Sequence, residues 1–545
     1  MASKKAASGR RKENEEHKEG SPYPNSSRRQ SLVSQTEVTT DDSMREESLD
    51  LQPISDGPSI VTHLPDVVVF TDHKRLLPNQ RTMQGVVLFL DISGFTALCE
   101  KYSLAGKTGT DQLTKTLNGY MNALVSEILS YDGDILKFAG DAILTVWQVD
   151  DFVTMQATVG HVIQCALDVQ LKNGEYMTSV GVVLKVKIGI AAGEISILCL
   201  GNNEQRSYVE MGRAVDAVNK AEHFCKKGDV VVSPTAWCHC YKLVTDHTVL
   251  SDGKHVKVNA LLTNNGPQYV MRRTIHVTES MLNLDMSVAN LRLPGWVFEN
   301  PNLASPSVPS PEYKPSPKTV VKPGTPPMPV LKDPQRNVGS PKLAVEPATE
   351  SSSSIRRLRK AVISRFEHDT IERLKLYVAQ PVLKKLDEGQ PLDYLSEMRQ
   401  VTILFINLII DRSTKVEYAC TMQACFDLIF DNCKKSQGSV SKIFLFDKGC
   451  TFIVIFGFPG FKHENDCAHA LICADCIFRE MATIEKVSIT SIGVTTGPTY
   501  CGVVGHYHRH EYTVIGRKAN MAARLMMHYP GKVGFMHINM AGLCT

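Results

Sequence analysis

The chain has 545 residues, too many for a single core, and at roughly 100–200 residues per domain it divides into two or three. With 43% hydrophobic and 21% charged residues it is globular in composition, and 60 basic against 57 acidic side chains leave a net charge of +3. That balance excludes a strong overall field for nucleic acid or an anionic membrane, so partners must be read from local sites.

The polar start of the chain lacks the apolar segment of a secretory signal. Apolar runs such as Val401 to Ile410 are about half of the roughly 20 residues that cross a bilayer, so no transmembrane segment is expected. The 15 cysteines are scattered and read as reduced thiols of a soluble, cytoplasmic protein.

In chain order, residues 1–57 are rich in Ser, Lys, Glu and Arg and poor in aromatics, which predicts a disordered tail. Within it Arg28-Arg29-Gln30-Ser31-Leu32 has the form of a basophilic kinase site, and a solvated tail explains it equally well. A first domain is expected over residues 58–296. Its opening strand, Val86-Val87-Leu88-Phe89-Leu90, runs through Asp91-Ile92-Ser93-Gly94-Phe95-Thr96 into helix, followed by a helix of roughly twenty-five residues. A hairpin follows, with strands at 134–139 and 142–147 around a turn at Gly140-Asp141. Then come a strand at 186–193, a helix opened by Gly212-Arg213-Ala214-Val215-Asp216, and a closing strand pair within 242–262. Cys238-His239-Cys240 has the wrong spacing for a zinc site.

Residues 297–354 carry Ser-Pro at 305, 310, 316 and 340 and Thr-Pro at 325, the composition of an extended linker. The basic run Arg356-Arg357-Leu358-Arg359-Lys360 reads as the solvated start of a helix. The second block, residues 355–545, repeats the first. Val401 to Asn407 matches the opening strand, Lys442–Phe446 and Cys450–Phe456 match the hairpin, and Ser491 to Gly497 matches Val186 to Gly193. Gly516-Arg517-Lys518-Ala519-Asn520 matches Gly212 to Asp216. Strand, helix, hairpin, helix, strand is the order of a ferredoxin-like α/β sandwich, and two of them predict a pseudo-symmetric, head-to-tail pair within one chain. Block one has the strand pair at 242–262, whereas block two stops at Thr545 before an equivalent pair, so its sheet is expected to be truncated.

Asp91 at a strand end and Asp141 in a hairpin turn converge if the two elements are sheet neighbours. Two such carboxylates suit Mg²⁺ or Mn²⁺ bound together with phosphate oxygens. Singly, Asp91 could cap a helix and Asp141 could serve a turn. The backbone N–H groups of residues 92–96, at a helix start, would suit phosphates. Block two has Asn407 and Cys450 at the matching positions and cannot hold the metals. It has instead Asn520 and Arg524, four residues apart on one helix face, where block one has Asp216 and Lys220.

Block one resembles the catalytic domain of class III nucleotidyl cyclases, and the pair resembles the soluble, bicarbonate-responsive adenylyl cyclases of animals. The resemblance covers roughly Ile60 to the C-terminus apart from the linker. It implies an active site and a degenerate site at the interface of two cyclase domains, forming cyclic AMP and pyrophosphate from ATP. Asp91, Asp141 and the Ile92 backbone would hold two divalent cations, Mg²⁺ or Mn²⁺, with Ca²⁺ admissible at one site. Ser93, Gly94, Phe95, Thr96 and Lys187 would bind the triphosphate. Lys442, Thr513 and the backbone of Val514 would meet adenine; lysine offers only donors, which disfavours guanine. Asn520 would orient the ribose, and Arg524 would stabilise charge developing on the α-phosphate. The base that takes the 3′-hydroxyl proton stays open between solvent and Asp91.

The resemblance also implies a regulatory bicarbonate held by a hairpin lysine and a helical arginine. Lys137 keeps the first, but Asn219 stands in place of the arginine, and Glu210 could pair with Lys137. Weak or absent bicarbonate stimulation is therefore expected. The alternative to an active enzyme is a cyclase-like regulatory protein that binds nucleotide and turns over little.

Overall fold

The structure is a computed structural model that describes residues 57–103, 106–149, 154–262, 363, 366–411, 414–446 and 449–537, all within one compact unit, Ser55–Thr545. The expectations for the N-terminal tail with Ser31, the proline-rich linker, the basic run 356–360, the turn at Asp447-Lys448 and residues 538–545 lie outside the described residues.

The first half runs β1 (Asn79–Ser93), α1 (Phe95–Ser103), α2 (Gly106–Ser130), β2 (Asp134–Ala139), β3 (Ala142–Val149), α3 (Met155–Asn173), β4 (Glu175–Met177) and β5 (Val183–Gly201). It continues with β6 (Arg206–Met211), α4 (Arg213–Phe224), β7 (Val230–Val232), α5 (Pro234–Cys240), β8 (Val244–Val249) and β9 (Val256–Leu261). Two helices, α6 (His368–Lys375) and α7 (Gln380–Asp387), precede the second half. That half consists of β10 (Glu397–Ile410), α8 (Lys415–Lys435), β11 (Ser439–Phe446), β12 (Gly449–Phe456), α9 (Asp466–Met481), β13 (Val487–His506), β14 (Arg509–Ile515), α10 (Arg517–His528) and β15 (Val533–His537).

The two sheets repeat one topology. The first has the order β2-β3-β1-β5-β7-β9-β8, with β4 and β6 pairing with β5. The second has the order β11-β12-β10-β13-β14, with β15 pairing with β13. In each, the first four strands of that order and the helices that connect them make the ferredoxin-like βαββαβ unit, α1 and α2 together filling the first helical place in the first half. The mixed α/β class and the duplicated architecture are as expected from the sequence, and β8 and β9 are the strand pair expected within 242–262.

Strand lengths differ from expectation. β5 has 19 residues and β13 has 20, against runs of eight and seven read from hydrophobicity. β5 extends because residues 196–199 find partners on both sides, residues 79–82 of β1 and 208–211 of β6, which lets a mixed-polarity segment stay in the sheet.

Helix α4 lies on β5 and α10 lies on β13 at a distance only glycine permits. A Cβ on Gly189 would meet the Glu222 nitrogen at 3.0 Å, and one on Gly493 would meet the Ala522 oxygen at 2.1 Å. Side chains cross between the halves. Tyr500, Val504 and Ile515 join the core of the first half, and Leu198, Leu200 and Val209 join that of the second. Upstream of β1, the Asp134 carboxylate accepts from the Asp66 and Val67 amides at 3.0 and 2.9 Å, fixing a short helical turn, Asp66–Val69. Among the described residues no helix is long and apolar enough to cross a membrane.

Candidate active site

Strand β1 sets Asp91 opposite Ala142 of β3 and Lys187 of β5. The Asp141 carbonyl, in the β2–β3 turn, accepts from the Ile92 amide at 3.0 Å, so both carboxylates stand at the same end of the sheet. The Lys187 ammonium lies 3.2 Å from Asp91 and also bonds Glu222 of α4. Burial raises the Asp91 carboxyl against the pull of Lys187. Burial, and next the charge of Asp91, push Asp141 up to about 6. Burial works against the Lys187 charge, but Glu222 and Asp91 outweigh it and hold the ammonium above its ordinary value. Two half-buried carboxylates that disfavour each other's charge are hard oxygen donors that a divalent cation would relieve, so the residues present fit such an ion.

From Asp91 the chain turns at Ser93 and Gly94 into α1. Gly94 has φ +108°, and a Cβ there would lie 2.9 Å from the Val183 oxygen, so the turn requires glycine. The buried Phe95 anchors the helix start, and the Gly94 carbonyl accepts from the Leu98 amide at 2.9 Å. Thr96 is met from the other half: Nδ2 of Asn520, on α10, donates to its Oγ1 at 2.9 Å.

Lys442 of β11 is buried, and its ammonium donates to the Phe138 carbonyl of β2 at 2.5 Å and pairs with Glu511 of β14 at 3.0 Å. Thr513, buried two residues beyond Glu511, lies opposite Gly502, and the partly buried Val514 lies opposite Cys501. Asp91, Asp141 and Lys187 are thus brought together, Asn520 meets Thr96, and Lys442 reaches the strand that leads into the Asp141 turn. Arg524 is not drawn in: it is exposed beside Met521, Leu525 and His528, with no hydrogen bond or ion pair among the described residues.

The matching column of the second half is Asn407, opposite Thr451 on β12 and Ser491 on β13. The Thr451 hydroxyl donates to the Asn407 side chain at 3.2 Å, and Cys450 is buried. Lys137, the counterpart of Lys442, is buried and donates to the Tyr208 carbonyl at 2.9 Å, the Ile443 carbonyl at 2.8 Å and Glu210 at 3.0 Å. Those three acceptors match its three N–H groups. Asn219 is also buried, and its side-chain nitrogen makes no hydrogen bond among the described residues. On α5, Cys238 is exposed and Cys240 is buried, so the two thiols face different surroundings.

Three residues around this site escaped the sequence reading: Glu222, Glu511 and Arg509. Glu222 lies 35 positions from the lysine it bonds, and Glu511 lies 69 from Lys442. Neither spacing carries a periodic signal. Arg509 is buried and donates to the carbonyls of Ile135, His63 and His510 and, at 3.0 Å, of Leu136. Its strand opens on the polar run Arg509-His510-Glu511, in which one more charge carries no distinct signal.

The chain is similar in sequence to known proteins. Adenylate cyclase type 10 of Oryctolagus cuniculus is 34% identical over 478 residues, covering 87% of this chain and 26% of that protein. The Homo sapiens protein of the same name is 34% identical over 477 residues, with coverages of 87% and 26%. The chain thus spans about a quarter of the length of these relatives. Among solved structures, a class III adenylyl cyclase-like ATP-binding protein from Pseudomonas aeruginosa is 12% identical, covers 84% of each chain and has a TM-score of 0.46. The model of the adenylate and guanylate cyclase catalytic domain matches residues 77–270 and 394–539, one match on each sheet, and the chain belongs to that family.

Proposed function

We propose that this chain is an adenylyl cyclase that converts ATP to 3′,5′-cyclic AMP and pyrophosphate between its two halves. The observation that carries this reading is the division of labour at the seam. The first half offers two carboxylates and a lysine at one sheet end, and the second meets that end through Asn520 on Thr96 and Lys442 on the Phe138 carbonyl. In the reaction the 3′-hydroxyl attacks the α-phosphorus, the new O–P bond closes the ring, and the bond to the pyrophosphate oxygen breaks. The hydroxyl proton leaves to solvent or to Asp91.

Asp91, Asp141 and the Ile92 backbone are the residues that would hold divalent cations, which the family generally uses. Such ions acidify the attacking hydroxyl and neutralise the leaving pyrophosphate. Lys187, beside Asp91, is set to take up triphosphate charge. Residues 93–96 offer amides at the start of α1. Asn520 would exchange Thr96 for the ribose, and Arg524 would turn inward to the α-phosphate. Lys442, a donor only, favours the adenine ring nitrogen over the N–H edge of guanine, with Thr513 and the Val514 backbone beside it. The three filled donor positions of Lys137, together with Asn219 in place of an arginine, support activity that does not depend on bicarbonate. The free thiols along the chain fit a reducing, cytoplasmic setting.

The exposed position of Arg524 favours a second reading, a nucleotide-binding regulatory protein with little turnover. Purified chain given ATP and Mn²⁺ and assayed for cyclic AMP beside Asp91→Ala and Asp141→Ala separates the two. Product far above both variants supports the cyclase; ATP binding with product no greater than theirs supports the regulator.

A further inference from the structure

Lys187 is one ammonium shared by two carboxylates that arrive from different directions. Strand register sets it beside Asp91, 3.2 Å away, and Glu222 Oε1 reaches it from α4. Glu222 can do so because α4 lies directly on β5. Gly189, two residues beyond Lys187 and so on the same face of the sheet, would place a Cβ 3.0 Å from the Glu222 nitrogen and 3.3 Å from its Cα. The other carboxylate oxygen, Oε2, faces Nδ1 of His223 at 3.0 Å, which leaves Oε1 to the lysine. Lys187 and Asp91 keep 23% and 24% of their side-chain surface exposed, so an ion from solvent can reach the pair.

The second half lacks this pair at the matching place. Its counterpart of the close approach is Gly493, where a Cβ would lie 2.6 Å from the Met526 nitrogen, so Met526 holds the place of Glu222. Ser491 holds the place of Lys187, opposite Asn407 instead of Asp91. Lysine and glutamate are thus absent together from the column that has lost its carboxylate, whereas a glutamate serving only to clamp helix to strand would be as useful in either half. An ammonium 3.2 Å from Asp91 competes with a cation for the same carboxylate, and with no second anion it would rest there alone. We propose that Glu222 is a positioning residue that draws the Lys187 ammonium away from Asp91, leaving that carboxylate open to a divalent cation while keeping the lysine's charge at the sheet end where a triphosphate would arrive. The inference rests on the adenylyl cyclase reading above for the roles of Asp91 and Lys187.

The test titrates Mn²⁺ into the nucleotide-free wild-type chain, Glu222→Gln, Lys187→Ala and the double variant, reading free Mn²⁺ by electron paramagnetic resonance. Asp91→Ala sets the background from other sites, and melting transitions check that each variant folds. Glu222→Gln should weaken Mn²⁺ binding about tenfold, the scale of one charge-assisted hydrogen bond. Lys187→Ala should tighten it, since the competing ammonium is gone. In the Lys187→Ala background, Glu222→Gln should change the affinity by less than about threefold, because a residue acting through Lys187 has nothing left to act on. A loss of about threefold or more in that background would mean that Glu222 attracts the cation by its own charge, and would overturn the proposal. Unchanged or tighter binding in Glu222→Gln, or wild-type binding no greater than that of Asp91→Ala, would overturn it too. Should Glu222→Gln fail to fold, Lys187→Ala still decides, since weaker Mn²⁺ binding there would mean that the ammonium does not compete. Wild-type chain that binds Mn²⁺ but forms no cyclic AMP from ATP would defeat the cyclase reading and leave these affinities to decide on Glu222.

Discussion

The two halves carry the same fold and opposite endowments. At one register position the first half has Asp91 beside Lys187, and the second has Asn407 beside Ser491. One column is charged, half-buried and frustrated; the other is neutral and sealed by a hydroxyl bond. The lysines divide the other way. Lys137 is saturated by three acceptors, whereas Lys442 keeps one anion and one carbonyl. Duplication thus leaves one charged site and one whose lysine has every donor filled, a difference that lies in side chains on a shared frame.

The strongest way to break this comparison is to exchange the columns. Asp91→Ala or Asp141→Ala should lower cyclic AMP formation by on the order of 100-fold or more, since each removes a carboxylate that orders the reacting phosphates. Asn407→Ala should change the same rate by less than about threefold, the size of a packing adjustment. A large loss from Asn407→Ala, measured in the same Mn²⁺ assay, would mean that the second column also does chemistry. Next in size, Lys442→Ala should lower kcat/KM for ATP by about 10- to 100-fold, the loss of one charged contact to substrate.

Smaller effects sharpen the contrast between the lysines. Glu210→Ala strands the Lys137 charge in a buried setting and should cost about 3 kcal/mol of stability, read from the denaturant midpoint. Replacing Lys137 and Glu210 together by methionine should recover much of that. The seam should also soften in mild acid. His63 and His510 sit edge to face at 4.3 Å, and burial, with Arg509 nearby, holds both imidazoles down, His510 at about 4. An unfolded chain takes up those protons at its ordinary value near 6.5, so stability should be unaffected above that pH and decline as pH falls from about 6.5 towards 4. Denaturant midpoints at pH 7.5 and 5 check the slope, which a His63→Asn, His510→Asn chain should flatten. The smallest expected effect is that of bicarbonate: at constant pH a dose series should change activity less than twofold, the residual expected of a screened surface anion effect. Several-fold activation would sink the saturated-lysine argument.

How much of this was legible in advance follows from the kind of signal each part carries. Strand β1, the hairpins and the repeat were readable because apolar runs and Gly-Asp turns are local patterns. The convergence of Asp91 and Asp141 was readable because a strand and a following hairpin are natural sheet neighbours. The bond from Asn520 to Thr96 spans 424 positions, and that from Lys442 to Phe138 spans 304, so neither leaves a trace in periodicity. The comparison of repeats named Asn520, and the family resemblance named Lys442, without naming what either touches. Glu511 went unread because its repeat-aligned position holds Ser207, so no internal comparison marked it.

Lys137 and Lys442 each end on a carbonyl of the opposite half, Ile443 and Phe138 respectively. Each fragment of a chain severed between residues 263 and 362 would keep its lysine's own carboxylate, Glu210 or Glu511, but lose the carbonyl acceptor of the other half and lay bare the apolar side chains that cross between the halves, so neither should be soluble by itself. Produced together, they should find one another and restore a single particle. Fragment complementation would then report, in living cells and without any nucleotide, whether the reciprocal handhold across the seam is intact.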